Sequence, residues 1–301
     1  METWRTAAYL RLSREDGDKA ESDSIANQHK QLEQYLGQEL KAVVSTELGG
    51  HNTATALYCG AMGDKLILDA DPAGRSVPGL QHSTYYLRGI PMCPMSVMNR
   101  FGEGAVFTHV FDDERGEDMV RALAVVSQNI IAVMDHVNTA QVLKDAVIHG
   151  AITQAETIGH AFLTAKREGG DFVNAVTSAG KGKFMFRGVV TKSAYETRGG
   201  YTFGNTEILG TGDFEGHTLK IWYQNENIIS WLDDRFYVTV PDLICVFDLD
   251  EKMPQLNPYA REGEHVAVTA LPAPDAWKSK RGLEVFGPRS FGYDVDYTPF
   301  C

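Results

Sequence analysis

The sequence predicts an α/β protein of two domains, an α/β N-terminal domain followed by a mostly β C-terminal domain. Three observations carry this. Short apolar strands alternate with helical stretches up to Gly169–Gly170, the pattern of sheet and helix layers. The character then changes: FMFRGVVTKSAYE, GYTFGNTEIL, TLKIWYQN, RFYVTV and HVAVTAL are runs of β-branched and aromatic residues between turns. The chain has 301 residues, 43% of them hydrophobic, which is enough length and apolar surface for two cores.

Taken in order, TAAYLRL (6–12) reads as a strand and SREDGDKAESD (13–23) as a charged loop. Ser24 is placed to cap a helix over Ile25–Tyr35. These elements are expected to add an edge strand and a helix to the domain that follows. KAVVST (41–46) is a short apolar strand ending at Glu47 and a glycine pair. KLILDAD (65–71) is another, closed by a turn at Pro72–Gly74, and GAVFTHVF (104–111) a third. Helices are expected over 117–128, 139–148 and 153–168, the last opened by the capping box Thr153-x-x-Glu156. The domain division is then 1–36, 37–170 and 171–301.

The net charge is −12. Residues 1–36 carry five Lys/Arg against seven Asp/Glu, so neither that segment nor the remainder has the basic face that phosphate binding uses. Nucleic acid is not an expected partner. No basic region precedes an apolar run at the N-terminus, and no stretch of eighteen apolar residues occurs, so a cytoplasmic protein without a membrane span is expected. Cys59, Cys93, Cys245 and Cys301 are scattered and read as reduced thiols.

The opening stretch TAAYLRLSREDGDKAESDSIANQHKQLEQYL resembles the start of a resolvase/invertase-type serine recombinase. In that resemblance Ser13 matches the serine that attacks a DNA phosphate, and Arg11 the arginine that holds its charge. The likeness covers one strand, one loop and one helix. A pentavalent phosphate needs several convergent cations, and the further arginines and DNA-binding region of such an enzyme do not follow. DNA cleavage is therefore the least favoured function.

From Leu32 a second resemblance runs in order to the end. LEQYLGQELKAVVSTELGGHN, LILDADPAGRSVPGLQ, AITQAETIGHAF, GHTLKIWYQNENIISW, TVPDLICVFD, REGEHVAVTALPAPDAW and GLEVFGPRSFGYDVDY are similar to the S-methyl-thiohydantoin desulfurase family. The resemblance implies the two-domain architecture already inferred. It also implies hydrolysis of an S-methylated thiohydantoin ring to a hydantoin, with release of methanethiol. It further implies a leading glycine-rich segment, in whose place the recombinase-like stretch stands. The alternative is thus a chimeric relic, inactive or ligand-binding.

Each candidate site residue also has a physical reading. Glu47, Gly49, Gly50 and Asn52 follow an apolar strand, where α/β sheets bind ligands. The glycines let backbone approach a planar ring, and Glu47 and Asn52 offer hydrogen bonds to its imide edge. Asp69 and Asp71 share one side if their strand continues, and together could activate water or hold a divalent metal. Arg75 has the planar fork that suits a substrate carboxylate. Asn225 and Glu226 lie in a polar tract between two β segments, open either to ligand contact or to a hairpin turn. Cys59 and Cys93 are chemically sensible nucleophiles without an activating base beside them in sequence. His109, His136, His149, His160 and His217 are dispersed, without zinc-site spacing, and read as surface or satisfied core residues. The expected partners are a small hydantoin-type substrate and, in an assembly, further copies of the chain.

Overall fold

A computed structural model describes residues 5–9, 19–129 and 131–300, with side chains described from Gln28 onward. The chain divides into two compact units, Met1–Ile152 and Thr153–Cys301. No helix among the described residues is long and apolar enough to cross a membrane.

The first unit runs β1 (Arg5–Tyr9), α1 (Lys19–Leu36), β2 (Ala42–Ser45), α2 (Gly50–Met62), β3 (Leu66–Ile67), β4 (Ala70–Asp71), α3 (Thr84–Leu87), β5 (Met95–Asn99), β6 (Gly104–Phe107), α4 (Asp113–Val126), β7 (Ile131–Thr139), α5 (Ala140–Leu143) and β8 (Ile148–His149). Six strands form one sheet in the order β3-β2-β1-β7-β5-β6. β1, β2 and β3 are mutually parallel, while β7, β5 and β6 join antiparallel. Alternation along β7 serves two cores. Ala132 and Met134 pack with Leu32 of α1 and with Ala56 and Cys59 of α2. Ile131 and Val133 pack with Met95 and Val97 of β5 and Val120 of α4. The sheet is thus buried on both faces, as a largely apolar β2 requires.

Several elements differ from the sequence expectation. The first strand is an interior strand between β2 and β7, not an edge. The helix after it begins at Lys19, so residues 19–23 are helical rather than loop. The expected strand over 65–71 breaks into β3 and β4, because a bend at Asp69 separates them and β4 leaves to pair with β8. The expected helix over 139–148 is a single turn, α5, after the nine-residue strand β7. α2, β5 and β7 were not anticipated. α4 starts earlier than 117, where Asp112 caps it by accepting from the Arg115 amide at 2.8 Å.

α6 (Ala151–Glu168) begins at the end of the first unit. Thr153 lies inside its first turn instead of capping it, and its carbonyl accepts from Thr157 Oγ1 at 2.8 Å. α7 (Phe172–Ala179) follows, capped by Asp171. The second unit is then an eight-stranded sheet of β9 (Lys183–Arg198), β10 (Tyr201–Gly210), β11 (Thr218–Gln224), β12 (Glu226–Leu232), β13 (Arg235–Thr239), β14 (Leu243–Asp248), β15 (Met253–Pro254) and β16 (His265–Leu271). Its order is β13-β12-β11-β10-β9-β16-β14-β15, antiparallel throughout. Phe172, Val173 and Val176 of α7 cover the sheet at Phe247 and Ala267.

Candidate active site

Glu47 ends the segment after β2 and is buried. Its Oε1 accepts from Asn52 Nδ2 at 2.5 Å and its Oε2 from the Val77 amide. One carboxylate therefore ties the start of α2 to the segment after β4. Gly49 is the N-cap of α2 and Gly50 its first residue, and neither has a positive φ. No side chain caps the helix at Gly49. A Cβ on Gly50 would meet nothing within 4 Å, whereas one on Gly49 would touch Ser76 Oγ at 3.8 Å and Glu47 Oε1 at 3.9 Å, so the open space at this helix N-terminus lies at Gly50.

Residues 70–85 are almost wholly buried although they contain little regular structure. Buried irregular backbone must find side-chain partners, and here carboxylates supply them. Glu47 takes the Val77 amide, Glu117 Oε2 takes the Leu80 amide at 2.9 Å, and Asp71 Oδ1 takes the Gly74 amide at 2.7 Å. Arg121 closes the other side, donating from Nη2 to the Pro78 carbonyl at 3.1 Å while paired with Glu117. A small pocket beside this segment is lined by Thr46, Glu47, Val77, Gly79, Leu80 and His82, among others.

Asp71 has no solvent exposure. Burial pushes its pKa up to about 7, although the Gly74, Ala73 and Leu48 amides favour the charged form. Its Oδ2 has no hydrogen-bond partner among the described residues. Asp69, by contrast, is exposed, and its carbonyl accepts from the Gly150 amide at 2.8 Å. The two aspartates therefore do not share one side: the strand that would have aligned them ends at Ile67. Arg75 is buried in the same segment, with Nε donating to the Ser76 carbonyl at 2.9 Å.

Sequence reasoning missed the neighbouring charged cluster. His136 is buried between two carboxylates, its Nδ1 2.8 Å from Asp135 Oδ1 and its Nε2 3.1 Å from Asp113 Oδ2. Burial opposes its protonation, but Asp135 and Asp113 outweigh it and raise its pKa to about 9. His136 sits where β7 bulges against β1: Thr6 pairs with Asn138 but Ala8 with Asp135, and the His136 φ is 47°. Its ring lies against Tyr85, with centroids 4.8 Å apart. Tyr85 is fully buried, and its hydroxyl also lacks a partner among the described residues. Burial, then the charges of Asp135 and Asp71, push the phenol well above its ordinary pKa, so it is a neutral donor. A polar Asp-His pair inside the apolar run IAVMDHVNT was the available sequence signal.

Cys93 is half-buried nearby. Burial and the Asp135 and Asp113 charges push its thiol up, away from the thiolate a nucleophile needs. Cys59, Cys93 and Cys245 carry no disulfide. Among the described residues no three His, Cys, Asp or Glu side chains gather as metal ligands. Asn225 and Glu226 lie in the second unit, where Asn225 forms a tight turn at φ 59° rather than continuing a strand. Its amide donates to Thr202 O at 2.7 Å and its Oδ1 accepts from Thr202 N at 2.9 Å. Arg11 and Ser13 lie outside the described residues.

Residues 15–109 match a family model described as S-Me-THD-like, N-terminal domain, and residues 111–300 one described as S-Me-THD-like, C-terminal domain. The first match reaches back to residue 15 and so takes in α1, within the recombinase-like stretch. No curated protein matches the chain. In three dimensions it is similar to a crystal structure of a protein from Chromobacterium violaceum, with a TM-score of 0.79 and 22% identity over 99% of this chain and 85% of that one. At that identity the likeness speaks to the fold.

Proposed function

Because the chain belongs to the S-Me-THD-like family, we propose that it hydrolyses an S-methylated thiohydantoin-type ring to the hydantoin and releases methanethiol. The observation that carries this reading is Asp71: a carboxyl without exposure, with one oxygen lacking a partner among the described residues and a pKa of about 7. Such a group exchanges a proton near neutral pH. Of the two candidate aspartates, Asp71 has this environment and Asp69 does not.

In this reading Asp71 donates its proton to the imine-type ring nitrogen, which makes the S-methyl-bearing carbon electrophilic. Water attacks that carbon, forming the C–O bond; the C–S bond breaks with its electron pair leaving on sulfur. One water proton ends on methanethiol, the other passes to solvent, and Asp71 takes up a proton again when the hydantoin leaves. Glu47 and Asn52 hold the start of α2 against the 71–77 segment, and Gly50 leaves room for the ring there. Arg75 brings a buried cation to the same segment, suited to a substrate carboxylate. Since Glu47, Asp71 and Arg75 are all shut from solvent, turnover requires the 72–83 segment to open.

The test is methanethiol release from an S-methyl-thiohydantoin acid by the folded chain and by Asp71→Asn. The wild type should release it, and Asp71→Asn should be slower by about 100-fold or more with unchanged circular dichroism. Undiminished turnover in Asp71→Asn would remove Asp71 from the mechanism. Thermal stabilisation by hydantoin without any methanethiol would select a binding protein.

A further inference from the structure

Asp71 Oδ2 and the Tyr85 hydroxyl are both buried polar atoms that lack a partner among the described residues, and native structures keep few of these without a reason. They belong to one small region. β4 pairs Asp71 with Ile148, the Thr84 amide donates to the Pro72 carbonyl at 2.6 Å, and Thr84 Oγ1 donates to the Ala146 carbonyl at 2.5 Å. Thr84, the residue before Tyr85, is thus stitched both to the residue after Asp71 and to the segment that leads into Ile148. The Tyr85 ring is fixed from the other side by His136, itself pinned between Asp113 and Asp135. One orphan atom is a carboxyl oxygen and the other an O–H donor.

A carboxyl and a hydroxyl held in one buried region by the Thr84–Pro72 bond offer a pair that complements one edge of a cyclic amide: a ring nitrogen and the carbonyl next to it. Resting on the desulfurase reading, we propose that the Tyr85 hydroxyl donates to the ring carbonyl beside the nitrogen that Asp71 serves, so that the two side chains read that edge together. The pair stays matched through turnover. Asp71 donates to the nitrogen of the S-methyl compound and accepts from the N–H of the hydantoin, while Tyr85 donates to the same carbonyl in both. The site would then reject rings lacking that carbonyl, because a buried hydroxyl would be left unpaired.

The experiment compares wild type and Tyr85→Phe by calorimetric titration with hydantoin and by KM for the S-methyl-thiohydantoin acid. Tyr85→Phe is expected to weaken hydantoin binding and raise KM about tenfold or more, while the melting temperature of the free protein holds or rises. A merely structural tyrosine would lower stability and leave affinity alone. Should Tyr85→Phe fail to fold, the wild type is titrated with the cyclic urea that lacks the second carbonyl, again expected to bind about tenfold more weakly. Equal affinities and KM for the two proteins, or equal binding of the two rings, overturn the proposal. Tyr85-dependent hydantoin binding without methanethiol release would uphold the recognition pair and overturn hydrolysis. Methanethiol release that ignores Tyr85 would do the reverse.

Discussion

A carboxyl closed off from water holds its proton longer, and that has a sign. The Asp71 pKa stands at about 7 in the fold against an ordinary value of 3.8, so the folded state keeps a proton that the unfolded chain has lost. Stability therefore falls as pH rises from about 4 to about 7. Asp71→Asn should abolish that slope and be the more stable protein at pH 8, by about 4 kcal/mol at most, with near equality at pH 4; urea unfolding at the two pH values checks this. His136 is also raised, to about 9, so its contribution is complete below its ordinary value of 6.5 and lost through 9. His136→Gln strands two buried carboxylates and should cost about 3 kcal/mol at pH 6, the gap to wild type closing toward pH 10. At this scale the sequence exposed half of the site. Glu47, Asp71 and Arg75 were legible because polar residues at a strand end stand out. His136 and Tyr85 were not, because their meaning comes from Asp113, distant in sequence, and from a β-bulge, neither of which a local pattern records.

Among the elements, the strands of the second unit were the most readable, since β-branched and aromatic alternation there agrees with one buried sheet face. α2 was hidden: GHNTATALYCGAM mixes its alanines with glycines, threonines and an asparagine, which favour helices weakly, and packing of Ala56 and Cys59 decides the outcome. β9 is the longest strand and pairs with both β10 and β16. Its Gly188 lies where an added Cβ would run into the Leu209 carbonyl of β10. That obstacle is backbone and cannot swing aside. Gly188→Ala should destabilise the second unit by about 3 kcal/mol, read from the shift of its denaturant midpoint, whereas Gly50→Ala, facing open space, should leave it unmoved.

For the molecule as a whole, the alkaline-sensitive groups Asp71 and His136 both belong to Met1–Ile152. Calorimetry should show the melting of that unit moving to lower temperature between pH 6 and pH 9, while the melting of Thr153–Cys301 stays in place; two transitions that shift together would contradict this. The placement of β1 has a further consequence, one in time. Its two sheet neighbours are β2, close behind it, and β7, which begins at Ile131. At about 5–20 residues per second, a ribosome takes roughly ten seconds to deliver the second neighbour after the first strand has emerged. Until then the parallel β1–β2 pair has one open flank, and β5 and β6, which attach only through β7, have nothing to join. The unit is closed from its centre by a late arrival, so nascent chains should resist protease only once residue 139 has cleared the exit tunnel.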